Sequence, residues 1–362
     1  MECRGCGIEV GDAHRAALSP ARGRAGGDAD PGGRSDAGDR ARRDGRADAD
    51  ATAAGVPGRL AGRGIGVVRL CADVGGSFID IAAFDGDARI LWRRKTATPV
   101  GDWAAFVAAF ADAVQAVPCD SVSIATAGLV DPTSGKVTSA NIPCIDGRAL
   151  ARDLSAALAQ PVRVVNDADA FVLAEAAMGV GQGHERVFGI ILGTGVGGGL
   201  VERGRIVSGA GGIGGEWGHG QVIHASPVAA NAMPVFPCGC GRHGCLDTIG
   251  SARGLERLHR FLHGVDADSI AITRGAEAGN AKAYATVAWF CDLIGGSIAM
   301  LLHAVSATIV PVGGGLANAT GLIAALDARV RANLLTPVAT PVVVPGRLGD
   351  EAGLIGAFVA GK

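Results

Sequence analysis

The chain has 362 residues, 48% hydrophobic but only 4% aromatic, with a formal net charge of −2. That length suggests two to three domains, with a core mostly of Ala, Val, Leu and Ile, and the charge balance offers no basic surface for nucleic acid. No apolar run reaches membrane-spanning length and no signal peptide opens the chain, so no membrane partner is expected, and an odd count of nine Cys favours a reducing cytoplasm over a disulfide framework.

Residues 1–64 are dominated by Gly, Ala, Arg and Asp, and no Phe, Trp or Tyr precedes Phe78. Such a stretch cannot bury enough apolar area to offset the entropy of ordering it. It is expected to be disordered, or to be a non-native extension lying upstream of a true start at Val67 or Val68. Cys3-x-x-Cys6 resembles half a zinc ribbon, but no second such pair follows.

The ordered pattern begins at Val67. Residues 67–96 read as strand, glycine turn, strand, turn, strand, with Asp73, Gly75, Gly76 and Ser77 where the first strand meets the second. Asp102 then caps a helix whose Trp103, Phe106, Val107, Phe110, Val114 and Val117 recur at helical spacing. Strands follow at 121–128 and 161–167, then a helix at about 168–178. A second, similar unit opens at Val187: strand, glycine turn (Gly193, Thr194, Gly195, Gly197), strand. Helices are expected near 254–262, 281–305, 322–334 and 351–359, with strands at 308–315, ending in Gly313 and Gly314, and at 342–344. The pattern is a duplicated α/β arrangement of two lobes, 65–185 and 186–362, and the final helix is free to pack back on the first lobe.

Between the halves of the second unit lies the chain's most specific stretch, 211–247. It opens GGIGGEWGHG and closes CGCGRHGCLD. His219, Cys238, Cys240 and Cys245 form a four-ligand set of the kind zinc binds tetrahedrally, and the interleaved glycines permit the tight wrapping this needs. Glu216 and Asp247 sit in the same stretch, which makes a structural metal that holds two carboxylates at a substrate the favoured reading. The alternative is three thiols that serve a disulfide or the core. Either glycine turn alone would be a plain turn. Two turns facing each other across a cleft, with a further glycine run after a later strand, favour a nucleotide's phosphates. No GxxxxGK[ST] occurs, and GTGVGGG opens a hairpin rather than a helix, so neither a Walker loop nor a dinucleotide fingerprint is present.

DVGGS at Asp73, GLVDPTSGKV at Gly128, NIP at Asn141, VVNDADAF at Val164, GTGVGGGL at Gly193, GGEWGH at Gly214 and CGCGRHGCLD at Cys238 occur in an order that resembles the ROK-family sugar kinases. The resemblance spans about Val67 to Gly361. It implies the actin-like ATPase fold: α/β, with two lobes, an inter-lobe cleft and a zinc-binding loop. It implies ATP-dependent phosphorylation of a hexose or N-acetylhexosamine, at the 6-hydroxyl. N-acetylglucosamine is the leading substrate, and glucose, fructose and N-acylmannosamine are rivals. Asp167 resembles the family's catalytic base, with a helix N-cap as its alternative role. Asn141, Asn166, Asp167, Glu216, His219 and Asp247 are the implied sugar contacts. Asp73, Gly75, Gly76, Ser77, Gly193, Thr194, Gly195, Gly197, Gly313 and Gly314 are the implied ATP contacts. Magnesium near Asp73, structural zinc on His219 and the three Cys, and a homodimer complete the expectation. Three positions depart from the pattern: Ser77 stands where Thr is common, Thr126-Ala127-Gly128 replaces a Pro-Gly pair, and Asp247 stands where Glu is common. A sugar-responsive repressor of the same family would need an N-terminal winged helix, and residues 1–64 have no apolar period to build one. An inactive sugar-binding relative would be expected to lose Asp167, which is present.

Overall fold

The computed structural model describes residues 67–222 and 235–362; the expectations for residues 1–64, Cys3 and Cys6 included, lie outside the described residues. The first three strands are β1 (Arg69–Val74), β2 (Phe78–Phe84) and β3 (Ile90–Ala97). They lead to α1 (Trp103–Ala116), whose N-cap Asp102 accepts a hydrogen bond from the Ala105 N–H. Then come β4 (Ser121–Thr126), the short hairpin β5 (Leu129–Val130) and β6 (Val137–Thr138), α2 (Leu150–Leu158), β7 (Val162–Asn166) and α3 (Asp167–Met178). The second run comprises β8 (Arg186–Leu192), β9 (Val196–Glu202) and β10 (Arg205–Ile206), then α4 (Asp247–Gly250), α5 (Ala252–His263), α6 (Ser269–Glu277) and α7 (Ala281–Val305). It closes with β11 (Val310–Gly313), α8 (Thr320–Ala332), β12 (Val343–Pro345) and α9 (Ala352–Ala360).

The strands form two five-stranded sheets of matching topology. One has the order β3-β2-β1-β4-β7 and the other β10-β9-β8-β11-β12. In each, the first three strands in chain order are antiparallel and the last two add in parallel. This is the duplication that the two glycine-broken hairpins predict. The helices α2 and α6 are absent from the expected set. Each is only nine residues long, too short for periodicity to separate it from a loop.

Each sheet has its own core. Leu70, Ile79, Ile81 and Ile124 pack under Phe106, Phe110, Leu150 and Leu154 of α1 and α2. Phe188, Ile190 and Val312 pack under Leu255, Phe290, Ile294, Ile298 and Leu326 of α5, α7 and α8. Among the described residues α7 alone is long and apolar enough to cross a bilayer, against the expectation of no such run, and half of its most apolar window is buried in the fold. Its place in this core accounts for its composition.

The sheets are joined by two crossed helices. α3, which follows the first sheet, packs on β8 and β9 of the second, while α9, at the end of the chain, packs on β1 and β4 of the first. The two helices also pack on each other. Small residues permit the close approach: a methyl group on Gly356 of α9 would stand 2.6 Å from Ala170 Cα of α3. Overpacking of this kind costs about 1–3 kcal/mol. Gly356→Ala is therefore expected to lower the unfolding free energy by about that amount in denaturant melts; an unchanged melt would show that the crossing has slack.

Candidate functional site

The crossing of α3 and α9 borders a cavity of about 920 Å³ whose walls come from both sheets. Asp73, Gly75, Gly76 and Ser77 line it from the β1–β2 turn, Asp167 from the start of α3, and Gly313 and Gly314 from the end of β11. Asn141 stands beside that lining, since a methyl on Gly76 would lie 3.5 Å from its Cβ. Gly193 packs against Gly314, and Thr194 and Gly195 continue the β8–β9 turn behind it. Gly197 is elsewhere. It lies within β9, its carbonyl accepts a hydrogen bond from Trp217 Nε1 (2.9 Å), and Ala168 Cβ faces it. Packing requires glycine at the next two positions: a methyl on Gly198 would meet Trp217 and the Gly189 carbonyl, and one on Gly199 would meet Val172 and Asp169.

Sequence reasoning missed the cationic wall of this cavity. Arg93 and Lys95 of β3 line it, together with Phe78 and Asp80. They sit at alternate strand positions and so share a face. Arg93 is committed to both oxygens of Asp80, at 3.0 and 2.7 Å. Lys95 has no carboxylate within 4.0 Å among the described residues, and its Nζ lies 5.1 Å from the Phe78 ring centroid.

At the start of α3 the alternative roles separate. Asn166, not Asp167, is the N-cap: its Oδ1 accepts from the N–H groups of Ala168 (2.8 Å) and Asp169 (3.0 Å). Its Nδ2 donates to the Gly128 carbonyl (2.9 Å) and to Asp167 Oδ1 (3.0 Å). All four hydrogen-bonding positions of that amide are engaged within the chain, and its bond to Oδ1 orients Asp167. Asp167 Oδ1 also accepts from the Ala168 N–H (2.9 Å). Its Oδ2 has no partner among the described residues, and Asp167 lines the cavity.

Four carboxyl groups crowd this region. Burial first, then Asp167 and Asp80, push the Asp73 pKa up to about 6 against the pull of Lys95. Burial raises that of Asp167, opposed by backbone N–H groups and the Asn166 amide. Burial and then Glu216 and Asp167 push Asp169 up to about 7; it is 8% exposed and its Oδ1 has no hydrogen-bond partner. Burial also raises Glu216, with His219 opposing.

Glu216 begins a short 3-10 turn, Trp217–His219, that Trp217 fastens to β9. His219 Nε2 lies 3.8 Å from Glu216 Oε2, while Nδ1 lies 3.6 Å from Cys238 Sγ. Cys240 and Cys245 Sγ are 3.7 Å apart, and all four candidate ligand atoms of His219 and the three Cys lie within 4.8 Å of one another. One nitrogen and three sulfurs at that spacing suit a tetrahedral zinc ion. The Arg242 N–H is the chief cause that brings the Cys240 thiol pKa down to about 7, while burial raises those of Cys238 and Cys245; all three would lose their protons on binding a metal. Asp247 follows directly, but its Oδ1 accepts from the Val196 N–H (2.7 Å).

The raised carboxyl pKa values have a consequence for stability. A group whose pKa is higher in the folded than in the unfolded chain stabilises the fold at low pH and loses that contribution as pH rises through the folded value. For Asp169 the window runs from 3.8 to about 7, roughly three units at 1.36 kcal/mol each. Asp169→Asn should therefore be more stable than the wild type at pH 8 by up to about 4 kcal/mol. The gap should close as pH falls through 7 and vanish below 4, which denaturant melts across pH would show. A gap that does not change with pH would sink burial as the cause.

Comparison with known proteins adds the following. The ROK family model matches residues 69–361. The N-acetylgalactosamine kinase of Shewanella sp. (strain ANA-3) is 34% identical over 293 residues, 80% of this chain and 95% of the relative. The N-acetyl-D-glucosamine kinase of Pectobacterium atrosepticum is 34% identical over 291 residues, 79% and 96% of the two chains. The ROK hexokinase from Thermus thermophilus matches with a TM-score of 0.70 at 33% identity, over 81% of this chain and 97% of that one. A ROK family glucokinase from Streptomyces griseus, solved with glucose and AMPPNP, matches with a TM-score of 0.62 at 28% identity, over 80% and 97%. With a family match across most of its length and relatives above 30% identity, the chain belongs to the ROK family and has the actin-like ATPase fold of its sugar kinases.

Proposed function

We infer that the chain is an ATP-dependent sugar kinase, with N-acetylglucosamine as its leading substrate. The observation that carries the chemistry is the single cavity that holds Asp73, the free Oδ2 of Asp167 and two glycine turns. Phosphoryl transfer asks for little covalent chemistry from the protein. It asks for positioning, neutralised phosphate charge and an acceptor for the hydroxyl proton. The backbone N–H groups of Gly76 and Ser77 and the glycine turn at Gly313–Gly314 cradle the phosphates, and Lys95 supplies a cation that no carboxylate among the described residues has claimed. Asp73 is the residue that would hold magnesium with the nucleotide, and that ion would supply charge neutralisation at the transferring phosphoryl group. Asp167 Oδ2 takes the proton from the sugar hydroxyl as that oxygen bonds to the γ-phosphorus and ADP departs. Asn166 keeps Oδ1 engaged so that Oδ2 faces the hydroxyl.

Asn141, Glu216 and His219 are the sugar contacts in this reading, and Asp73, Gly75, Gly76, Ser77, Gly193, Thr194, Gly195, Gly313 and Gly314 the nucleotide contacts. Structural zinc on His219, Cys238, Cys240 and Cys245 fixes the turn that carries Glu216. N-acetylgalactosamine is the second reading for the substrate, because a relative of that printed activity is as similar as the N-acetylglucosamine kinases. Glucose, fructose and N-acylmannosamine are less favoured. The homodimer and the cytoplasmic setting are part of the same proposal.

A coupled ATP-consumption assay over a panel of hexoses and N-acetylhexosamines tests the substrate class. Highest kcat/KM is expected for N-acetylglucosamine, and no turnover on any member of the panel would overturn the reading. Asp167→Asn keeps the shape of the side chain but cannot accept the proton. General-base contributions are about 10²–10⁴ in rate, so kcat should fall at least about 100-fold while the sugar KM changes less. A near-normal kcat with chemistry rate-limiting would remove Asp167 from the base role.

Metal analysis of protein purified without chelator should find about one zinc per chain, as a single four-ligand site requires. Cys240→Ser should lose that zinc, melt earlier and bind sugar more weakly. A metal-free native protein would discard the zinc assignment.

A further inference from the structure

Asp247 is the expected sugar ligand whose surroundings point elsewhere. Its Oδ1 accepts the Val196 N–H at 2.7 Å, from 51 residues earlier in the chain. A methyl on Gly195 would stand 2.9 Å from that same oxygen, so the β8–β9 turn is drawn hard against the carboxylate. Oδ2 lies 3.9 Å from Cys238 Sγ. The turn is held at its other end too: the Ala252 N–H, just past α4, donates to the Gly193 carbonyl at 2.8 Å. Between these anchors the Gly193 N–H bonds the Gly195 carbonyl (3.0 Å), and the N–H groups of Thr194 and Gly195 take no backbone acceptor among the described residues. A methyl on Gly314 would stand 2.7 Å from Leu192 C and 2.8 Å from Gly193 N, so the turn backs directly onto a residue that lines the cavity.

We propose that Asp247 is a positioning residue for the nucleotide side of the site: its carboxylate ties the Gly193–Val196 turn to the cysteine loop, so that the free N–H groups of Thr194 and Gly195 are set for phosphate. This rests on the kinase reading above and changes one role within it, from sugar contact to brace. The physical reason is competition for one short side chain. Val196 at 2.7 Å on Oδ1 and Cys238 Sγ at 3.9 Å from Oδ2 draw that short side chain toward the turn and the cysteine loop, and its removal would leave the Val196 N–H buried without an acceptor.

The test separates the two ligands. ADP binding with magnesium is measured by calorimetry without sugar, and steady-state kinetics give KM for ATP and for N-acetylglucosamine separately. Asp247→Ala should weaken nucleotide binding about ten- to hundred-fold, the size expected on losing a hydrogen bond to a charged group, and leave the sugar KM within about threefold. Asp247→Asn keeps an oxygen for the Val196 N–H and should restore most of the nucleotide affinity. A raised sugar KM with unchanged ADP affinity would overturn the proposal, as would an Asn variant as poor as Ala.

Should Asp247→Ala disturb the metal loop, which zinc content and melting report, Gly195→Ala supplies an independent arm. Its methyl meets Asp247 Oδ1 and should weaken nucleotide binding several-fold. In the Asp247→Ala background that clash is gone, so the two penalties should be less than additive; full additivity refutes the brace. Failure of every sugar in the panel would sink the substrate class, yet the ADP measurement needs no sugar and reads the brace regardless.

Discussion

The site depends on the close crossing of α3 and α9. α3 follows the first sheet and packs on the second, while α9 follows the second sheet and packs on the first. The crossing is close because Ala170 and Gly356 meet with no side chain between them. It fixes more than the relative placement of the sheets. Asp167 is the first residue of α3, and Gly353, near the start of α9, lies directly against the Asp73 carboxylate, where any Cβ would collide. One helix–helix contact therefore bears on two of the acids that line the cavity, Asp73 and Asp167. Interiors this dense transmit displacement rather than absorb it, and a phosphoryl acceptor is sensitive to shifts of about 1 Å.

The cost of that arrangement is electrostatic. Asp73, Asp167, Asp169 and Glu216 are held near one another at depth, and their pKa values are all raised, chiefly by burial. Lys95, which pairs with no carboxylate among the described residues, offsets only part of it at Asp73. A divalent cation beside such a cluster would invert the local pKa logic. Asp73 and Asp167, which line the cavity, are the members of the cluster within reach of a magnesium nucleotide. Stability is given up locally where function needs a charged, pre-formed pocket.

Much of this was legible in the sequence. The duplicated hairpins stand out because Gly clusters break runs of β-branched residues, and the two sheets have the topology that this repeat implies. The cysteine set was legible because its spacing is local: Cys238, Cys240 and Cys245 lie within eight residues, and the structure brings His219 to them. What was not legible depends on partners distant in sequence. Asn166 reads as a polar residue beside a catalytic Asp, and only the Gly128 carbonyl, 38 residues away, reveals that its amide is fully occupied. Gly197 reads as part of a phosphate turn, yet Trp217 and Ala168 claim its surroundings. Lys95 sits in a basic run, WRRK, that alternation alone cannot sort into cavity and surface, because the sorting depends on which sheet face meets α9.

His219 links the cysteine loop to the Glu216 turn. Its two ring nitrogens face different neighbours: Nδ1 lies 3.6 Å from Cys238 Sγ and Nε2 3.8 Å from Glu216 Oε2. A metal on Nδ1 would fix the orientation of the ring beside that carboxylate. Trp217 adds the second restraint, since its indole N–H bonds Gly197 of β9 and its ring meets Phe188 edge-on at 6.2 Å. Glu216 thus sits between a strand and the His–Cys cluster. A turn rich in glycine, with Gly212 and Gly215 at φ of +79° and +85°, could not hold a carboxylate in register by its own backbone preferences. Rigidity has to come from outside the turn, and the cysteine loop and β9 are what the fold places there to provide it.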